Sequence, residues 1–185
     1  MNYLKNAVCL VVSTLVLNSA AQAGWQGSAS ANYAVKATVD SFVGKATSEP
    51  IAIADGATEF PVTFLISKME TGKKKRDVEM QHMFGMDKND LITGLAKAES
   101  LLALQADGEV PVSLTINGQT QELPAKISKL VKAEDKLSFV ADLEISLKSF
   151  GLKPPSIMKI INVADLVKVT ATFELTSSST PAVQP

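Results

Sequence analysis

The sequence predicts an all-β protein, an antiparallel barrel or sandwich with one short helix. Apolar and polar residues alternate with a period of two over much of the chain, which is the spacing of strands with one dry and one wet face. Turn-forming residues separate these segments at regular intervals, as in an antiparallel meander. A closed barrel is favoured because closure removes exposed strand edges.

The N-terminus has the features of a secretory signal peptide. Lys5 precedes an apolar run over residues 7–17, and Ala21-Gln22-Ala23 supplies the small residues of a cleavage site. The apolar run is about half of the roughly 20 residues that a spanning helix needs. We therefore expect cleavage after Ala23 and export to the periplasm. The only cysteine, Cys9, leaves with the signal, so the exported domain must be stable without a disulfide.

The exported chain of about 160 residues is long enough for one domain with a sizeable core. Within it, alternation predicts a first strand around residues 33–39 and another over 60–66. We place this domain at residues 24–175. The polar, proline-bearing segment 176–185 is predicted to be a disordered tail.

The stretch that follows the second of these strands, "KMETGKKKRDVEMQHMFGM" (68–86), holds four of the six methionines and the only histidine. Residues 74–84 lack a helix breaker and are predicted to form a helix. One stripe of that helix carries Arg76, Met80, Met83 and Phe84. The opposite side carries Lys75, Glu79 and His82.

The second half of the chain predicts the rest of the meander. Asn117-Gly118 is the firmest turn signal, because a two-residue type I′ hairpin needs positive φ at both central positions. Residues 110–116 and 119–130 should therefore pair antiparallel. Further strands are predicted over 136–147, where Val140 interrupts the alternation once, and over 163–175. The segment "KNDLITGLAKAESLLAL" (88–104) is compatible with either helix or strand.

Composition excludes several classes of function. The chain has 18 basic and 19 acidic residues, so a general nucleic-acid binder is not expected. Aromatic residues are too few and too scattered for the girdles of an outer-membrane barrel, and we expect a soluble protein. With one histidine, no glycine-framed serine and only scattered carboxylates such as Asp77, Asp87 and Asp90, we expect no enzymatic activity.

Several segments together resemble the YceI-like family. "METGKKKRDVEMQHMF" is similar to the family's segment in which Thr-Gly and Arg-Asp precede a helix ending in an aromatic residue. "VPVSLTINGQTQELP" resembles its strand, turn and strand. "LEISLKSFGLKPP" and "VADLVKVTATFEL", with Asp165 at the acidic position, resemble its closing region. The resemblance covers roughly residues 28–175 and depends on the order of these segments.

The resemblance implies a lipocalin-like antiparallel β-barrel of about eight strands with an added helix, which holds a polyisoprenoid or quinone-like lipid and needs no other cofactor. A barrel of that size can enclose one slender ligand. Methionine suits such a cavity because its thioether adapts to irregular shapes. The residues expected to line the lipid site are Phe64, Met69, Met80, Met83, Phe84 and Phe139, with Lys73, Lys74, Lys75 and Arg76 near the headgroup. Transient membrane contact and a homodimer are further expectations.

Three alternatives remain open at this point. Met80, His82, Met83 and Met86 could form a periplasmic copper site, since thioether and imidazole ligands suit Cu(I). The barrel could be filled by side chains and have a structural or stress role, although small inward residues such as Ala37, Ala141 and Ala171 indicate room. The four cations at residues 73–76 could be only a solvated loop and the start of the helix. Arg76-Asp77 is interpreted as a structural pair that ties the helix to the barrel.

Overall fold

The structure, a computed structural model, describes residues 24–38, 41–153, 156–157 and 161–178. The predicted signal peptide and residues 179–185 of the predicted tail lie outside these residues. The strands, in chain order, are β1 (Gly24–Ala37), β2 (Phe42–Thr47), β3 (Ile51–Ala54), β4 (Glu59–Leu65), β5 (Leu91–Lys97), β6 (Gly108–Ile116), β7 (Gln119–Lys132), β8 (Lys136–Ser146), β9 (Ser156–Ile157) and β10 (Ile161–Ser177). The helices are α1 (Lys74–Met83) and α2 (Ala98–Ala103), with 3₁₀ turns at Ile66–Lys68 and Leu147–Phe150.

The strands form one curled antiparallel sheet in the order β2-β1-β10-β8-β7-β6-β5-β4, with β3 added to β1 and β9 to β10. The two ends of this order meet along a short seam. Ser48 and Phe64 form a single bridge there, and Glu49 N–H donates to the Thr63 carbonyl at 2.8 Å. The predicted lipocalin-like antiparallel architecture is therefore confirmed, with a seam much weaker than the other strand pairings.

The turn between β6 and β7 has the predicted hairpin geometry. Asn117 and Gly118 have φ values of 49° and 72°, and Ile116 pairs directly with Gln119. Glycine and asparagine tolerate this left-handed region better than other residues. The hairpin therefore sets the register of the strands on both sides.

The segment 88–104, whose sequence is compatible with either helix or strand, forms one of each. Residues 91–97 are strand β5, which pairs with β4 and β6, and the chain then turns directly into α2. Ala98 and Leu101 of α2 are buried, so this short helix packs on the end of the sheet where β4 begins and β5 ends.

The last strand is longer than predicted. β10 continues to Ser177, two residues beyond the expected end of the domain, because Trp25 at the start of β1 pairs with Ser177. Ser178 N–H then donates to the Gly24 carbonyl at 2.7 Å. These bonds satisfy backbone groups that would otherwise be exposed at the start of β1. No helix in the described part of the chain is long and apolar enough to cross a bilayer.

Helix α1 lies at the opposite end of the sheet from α2, since it follows the end of β4. It begins and ends almost as predicted, at Lys74 and Met83, and Gly85 with a φ of 72° stops it. Met80 and Phe84 are buried while Lys75, Glu79 and His82 are exposed. The sheet thus has a helix at each end, and its interior lies between them.

Candidate functional site

The interior of the curled sheet contains a cavity of about 490 Å³. Its wall comes from all the long strands and from both helices, and most of it is aliphatic or aromatic. The larger side chains on the wall include Tyr33, Val35, Phe42, Phe60, Val62, Phe64, Met69, Met80, Met83, Phe84, Ile92, Leu101, Val110, Val112, Leu114, Ile116, Ile127, Phe139, Leu143, Ile145, Leu147, Val163, Val167, Val169 and Phe173. An interior packed with side chains, one of the open alternatives, is therefore not what the structure has.

Strand register arranges the wall in layers. Ala31, Ala171 and Ala141 pair in a row across β1, β10 and β8. One step towards α1, the corresponding row is Tyr33, Val169 and Leu143. All these side chains point inward because residues two apart on a strand share a face. The small side chains of the alanine row leave more of the interior empty than the larger side chains of the neighbouring row do.

Three phenylalanines lie at the end of the cavity near α2. Phe139 and Phe173 stack with ring centroids 4.5 Å apart and an interplanar angle of 11°. Phe60 meets both rings edge-on, at 6.2 and 5.9 Å. One layer further, Leu137 and Leu175 are fully buried and do not line the cavity. The cavity therefore ends at the three rings.

The other end of the cavity is bounded by α1. Met80 and Phe84 are buried on the inner face of this helix, and Met69 precedes it. Among the described residues, the charged side chains on the cavity wall are Lys73, Lys75, Arg76 and Glu79. Lys73, Lys75 and Glu79 are exposed, so the cavity reaches the surface beside α1 and has a charged rim there.

A hydrogen-bonded cluster around Thr71 holds α1 in place. Asp77 accepts hydrogen bonds from the Thr71 N–H at 2.7 Å and the Thr71 hydroxyl at 2.5 Å. Arg76 donates to the Thr71 hydroxyl at 2.9 Å and to its carbonyl at 2.8 Å, and its guanidinium lies 4.0 Å from the centre of the Phe42 ring. The Arg76-Asp77 pair thus attaches the helix to the preceding loop and to β2, as expected of a structural pair.

Tyr33 is a buried polar group on the cavity wall. Its hydroxyl donates to the Glu70 carbonyl at 3.2 Å and lies 3.5 Å from the Met80 sulfur. Burial, and next the negative charge of Asp77, raise the pKa of the Tyr33 phenol well above its usual range. Gly44 lies against the ring, where a Cβ atom would come within 2.2 Å of it. Tyr33 is thereby held as a neutral hydrogen-bond donor beneath α1.

The structure brings most of the predicted lipid-site residues to one cavity. Nine of the ten line it: Phe64, Met69, Lys73, Lys75, Arg76, Met80, Met83, Phe84 and Phe139. Lys74 is exposed and is not part of the wall, because it faces away from the cavity at the first turn of α1. Their role in binding stays a prediction.

Sequence reasoning missed several wall residues. Tyr33, Phe60 and Phe173 lie at apolar positions of the predicted strands but are not among the predicted site residues, although the same alternation marks Phe139. Phe42 gave no such signal.

Lys75 and Glu79 were predicted on the side of α1 opposite the stripe of Met80 and Phe84, and this was wrong, because both line the cavity wall. Their position depends on how α1 packs across β2, where Arg76 lies on the Phe42 ring.

The four candidate copper ligands face different surroundings. Met80 and Met83 line the cavity, and Met86 packs half-buried against the same apolar cluster. His82 is exposed on the outer side of α1. A copper ion would need thioether and imidazole donors that converge on one point, and the side chains in this arrangement do not fit that requirement.

Asp165 connects β10 to the turn after β8 through hydrogen bonds. Its carboxylate accepts hydrogen bonds from the Lys148 N–H at 2.9 Å and the Ser146 hydroxyl at 2.8 Å. These bonds, that from Lys148 first, hold the pKa of Asp165 below its usual range. Because the folded-state pKa is lower than the unfolded one, the stabilising contribution is present above about pH 4 and is lost as the pH falls through the folded-state pKa.

Replacing Asp165 by asparagine should therefore lower stability at neutral pH more than in acid. Urea unfolding of both proteins at neutral pH and at about pH 3 measures this difference. Asp142→Asn is the matched control, since exposed Asp142 on the same pair of strands accepts one bond, from the Thr170 hydroxyl. An Asp165→Asn deficit of equal size at both pH values would contradict the prediction.

Known proteins share this architecture. The model of the YceI-like domain matches residues 16–175. A polyisoprenoid binding domain from Saccharophagus degradans has a TM-score of 0.62 and 14% identity, with 84% of this chain and 98% of that chain covered. Burkholderia cenocepacia BcnA has a TM-score of 0.61 and 13% identity, with 82% and 96% covered.

A third similar structure is a Campylobacter jejuni YCEI protein, with a TM-score of 0.53 and 18% identity, covering 97% of this chain and 94% of that chain. No curated protein sequence matches the chain. At these identities the structural likeness establishes the fold, and the family model spans most of the sequence. The chain therefore belongs to the YceI-like domain family.

Proposed function

We propose that this protein is an exported carrier that holds a polyisoprenoid or similar long apolar chain inside its barrel. The observation that carries the proposal is the cavity of about 490 Å³ with a wall composed mainly of apolar side chains. This size falls within the range of roughly 300–1,000 Å³ that is common for ligand sites. The similar Saccharophagus degradans structure is described as a polyisoprenoid binding domain, which supports the same class of ligand.

The hydrophobic effect provides the driving force for such binding. Burial contributes about 0.8 kcal/mol for each methylene-sized group, so a chain of isoprene units gains affinity along its whole length. Part of this gain offsets the entropy lost when the chain is confined. The same effect makes a free isoprenoid poorly soluble, which is why movement through an aqueous compartment requires a carrier.

The charged rim favours an amphiphile over a pure hydrocarbon. Lys73, Lys75 and Arg76 line the wall beside α1, where a polar headgroup would remain in contact with water. The apolar tail would then extend towards Phe139 and Phe173. Binding in this orientation requires no chemical conversion, so we propose a carrier and not an enzyme.

The proposal also includes export of the protein and exchange of its ligand with a membrane. The signal peptide predicted at residues 1–23 supports a periplasmic location. Val78 has 63% of its surface exposed and lies on the outer side of α1 near exposed Lys74 and Lys75. An apolar side chain among cations suits brief contact with a lipid surface, from which the ligand would enter or leave.

Mass spectrometry of the native protein from the cells that make it tests this function. We expect a stoichiometric added mass that organic extraction releases as an apolar chain, and a polypeptide that begins at Gly24. A protein that arrives bare, and that takes up neither all-trans polyprenols nor a ubiquinone on incubation, would contradict the carrier function. A polypeptide that retains residues 1–23 would contradict only the export part of the proposal and would leave the carrier function standing.

A further inference from the structure

The cavity has one open end, beside α1, and one closed end, near α2. Along β8 the inward side chains Ile145, Leu143, Ala141 and Phe139 all line the cavity, whereas Leu137 does not. Along β10 the wall likewise ends at Phe173, before Leu175. Leu137 and Leu175 are 0% and 1% exposed, so the layer beyond the three rings offers no space.

The rings that end the cavity support one another. Phe139 and Phe173 are cross-strand neighbours whose rings stack, and Phe60 packs edge-on against both. Stacked and edge-on aromatic pairs are favourable by themselves, and Leu101 of α2 contributes to the wall at this end. A flexible chain would not displace these rings, because the core behind them is already filled.

The space next to this closed end is built from small side chains. Ala31, Ala171 and Ala141 form one paired row directly above Phe173 and Phe139, and all three line the cavity. From this row to the open end the wall extends at least from Ala141 to Ile145 and on to Leu147. Phe139 and Ile145 are separated by about 20 Å along the strand.

We propose that Phe139 and Phe173, together with the row of three alanines, set the length of isoprenoid chain that this protein prefers. The tail of the chain ends against the two rings, and the headgroup must reach the charged rim at Lys73 and Lys75. A chain that is too short leaves apolar wall unfilled, and one that is too long pushes its apolar units out into water. Each mismatch loses hydrophobic contact, so retention has a maximum at one length.

This length limit concerns the ligand of the proposed function and rests on it. Two variants should move the maximum in opposite directions. Ala141→Leu with Ala171→Leu adds six carbon atoms above the rings, slightly more than one isoprene unit, and should shorten the preferred chain by one unit. Phe139→Ala removes six carbon atoms from the closed end and should lengthen the preferred chain by one unit.

The experiment incubates each protein with an equimolar mixture of all-trans polyprenols that differ by single isoprene units. Excess lipid is removed, and the retained chains are extracted and measured by mass spectrometry. Val140→Leu is the matched control, because this neighbour of Ala141 on β8 does not line the cavity and should keep the wild-type distribution.

The outcomes separate the two proposals. Wild-type protein that retains no polyprenol would overturn the length limit, and lipid binding would be overturned with it only if the protein takes up no ubiquinone either. Wild-type protein that retains polyprenols, with an unchanged distribution in the double leucine variant, would overturn the length limit and leave lipid binding standing. If Phe139→Ala does not fold, the double leucine variant decides alone, since it adds atoms to open space and removes no packing. The expected one-unit shift supports the assignment.

Discussion

Replacing Met80 and Met83 together by aspartate is expected to abolish lipid retention while the sheet stays folded. Both side chains line the cavity from the inner face of α1, and Met80 is 8% exposed. A carboxylate facing an apolar ligand without a partner costs several kcal/mol. Retention should therefore fall by more than about 100-fold, which corresponds to about 2.7 kcal/mol. Lipid extracted per mole of purified protein measures the loss.

A matched variant separates this effect from damage to the helix. His82→Asp puts a carboxylate on the outer side of the same helix, where the native side chain is exposed and does not line the cavity. This control should retain lipid like the wild type. Far-UV circular dichroism should show the same strand content in all three proteins. Normal retention by the Met80→Asp, Met83→Asp variant would mean that the inner face of α1 does not contact the ligand.

Replacing Asp77 by alanine is expected to loosen α1 and speed the release of bound lipid. Asp77 accepts both hydrogen bonds that Thr71 offers through its N–H and hydroxyl, and Thr71 is buried. Loss of the carboxylate leaves these donors without that partner, which should lower the free energy of unfolding by about 1–3 kcal/mol. Because α1 borders the opening of the cavity, the rate of transfer to acceptor vesicles should rise.

Urea unfolding and a fluorescent-lipid transfer assay measure the two effects of Asp77→Ala. Asp87→Ala is the control, because it removes an exposed carboxylate just beyond the same helix and should change neither quantity. Asp77→Asn keeps the shape and one acceptor oxygen, and it should fall between the wild type and Asp77→Ala. A destabilised Asp77→Ala protein with an unchanged transfer rate would show that α1 does not limit access to the cavity.

Local patterns in the sequence were sufficient for several of the elements, although β1 begins at Gly24 and not near the predicted residue 33, and β2 and β3 were not predicted. The Asn117-Gly118 hairpin, the inward set of β8 and the bounds of α1 all followed from rules that involve neighbouring residues only. The end of β10 was predicted two residues early, because the pairing of Ser177 with Trp25 joins residues far apart in the chain. The segment 88–104 was ambiguous for a related reason, since pairing with β4 and β6 makes its first part a strand.

The site was predictable where it depended on alternation and not where it depended on packing between elements. Inward residues such as Phe64 and Phe139 could be selected from the sequence because a strand has only two faces. The position of α1 over β2, which puts Arg76 on Phe42 and Glu79 on the cavity wall, could not. Lys74 was grouped with its charged neighbours in the sequence, although the turn of the helix directs it away from the cavity.

By itself the sequence determined an antiparallel β domain with a helix over residues 74–84, because period and turn chemistry are local properties, and the order of its segments resembled the YceI-like family. The tertiary structure decided that the interior is a cavity and where it ends. Alternation shows which side chains point inward, but the space left between them depends on how strongly the sheet curls and which rows face each other. The three alanines form one row, and the two phenylalanines the closed end beneath it, only when β1, β10 and β8 are paired in register.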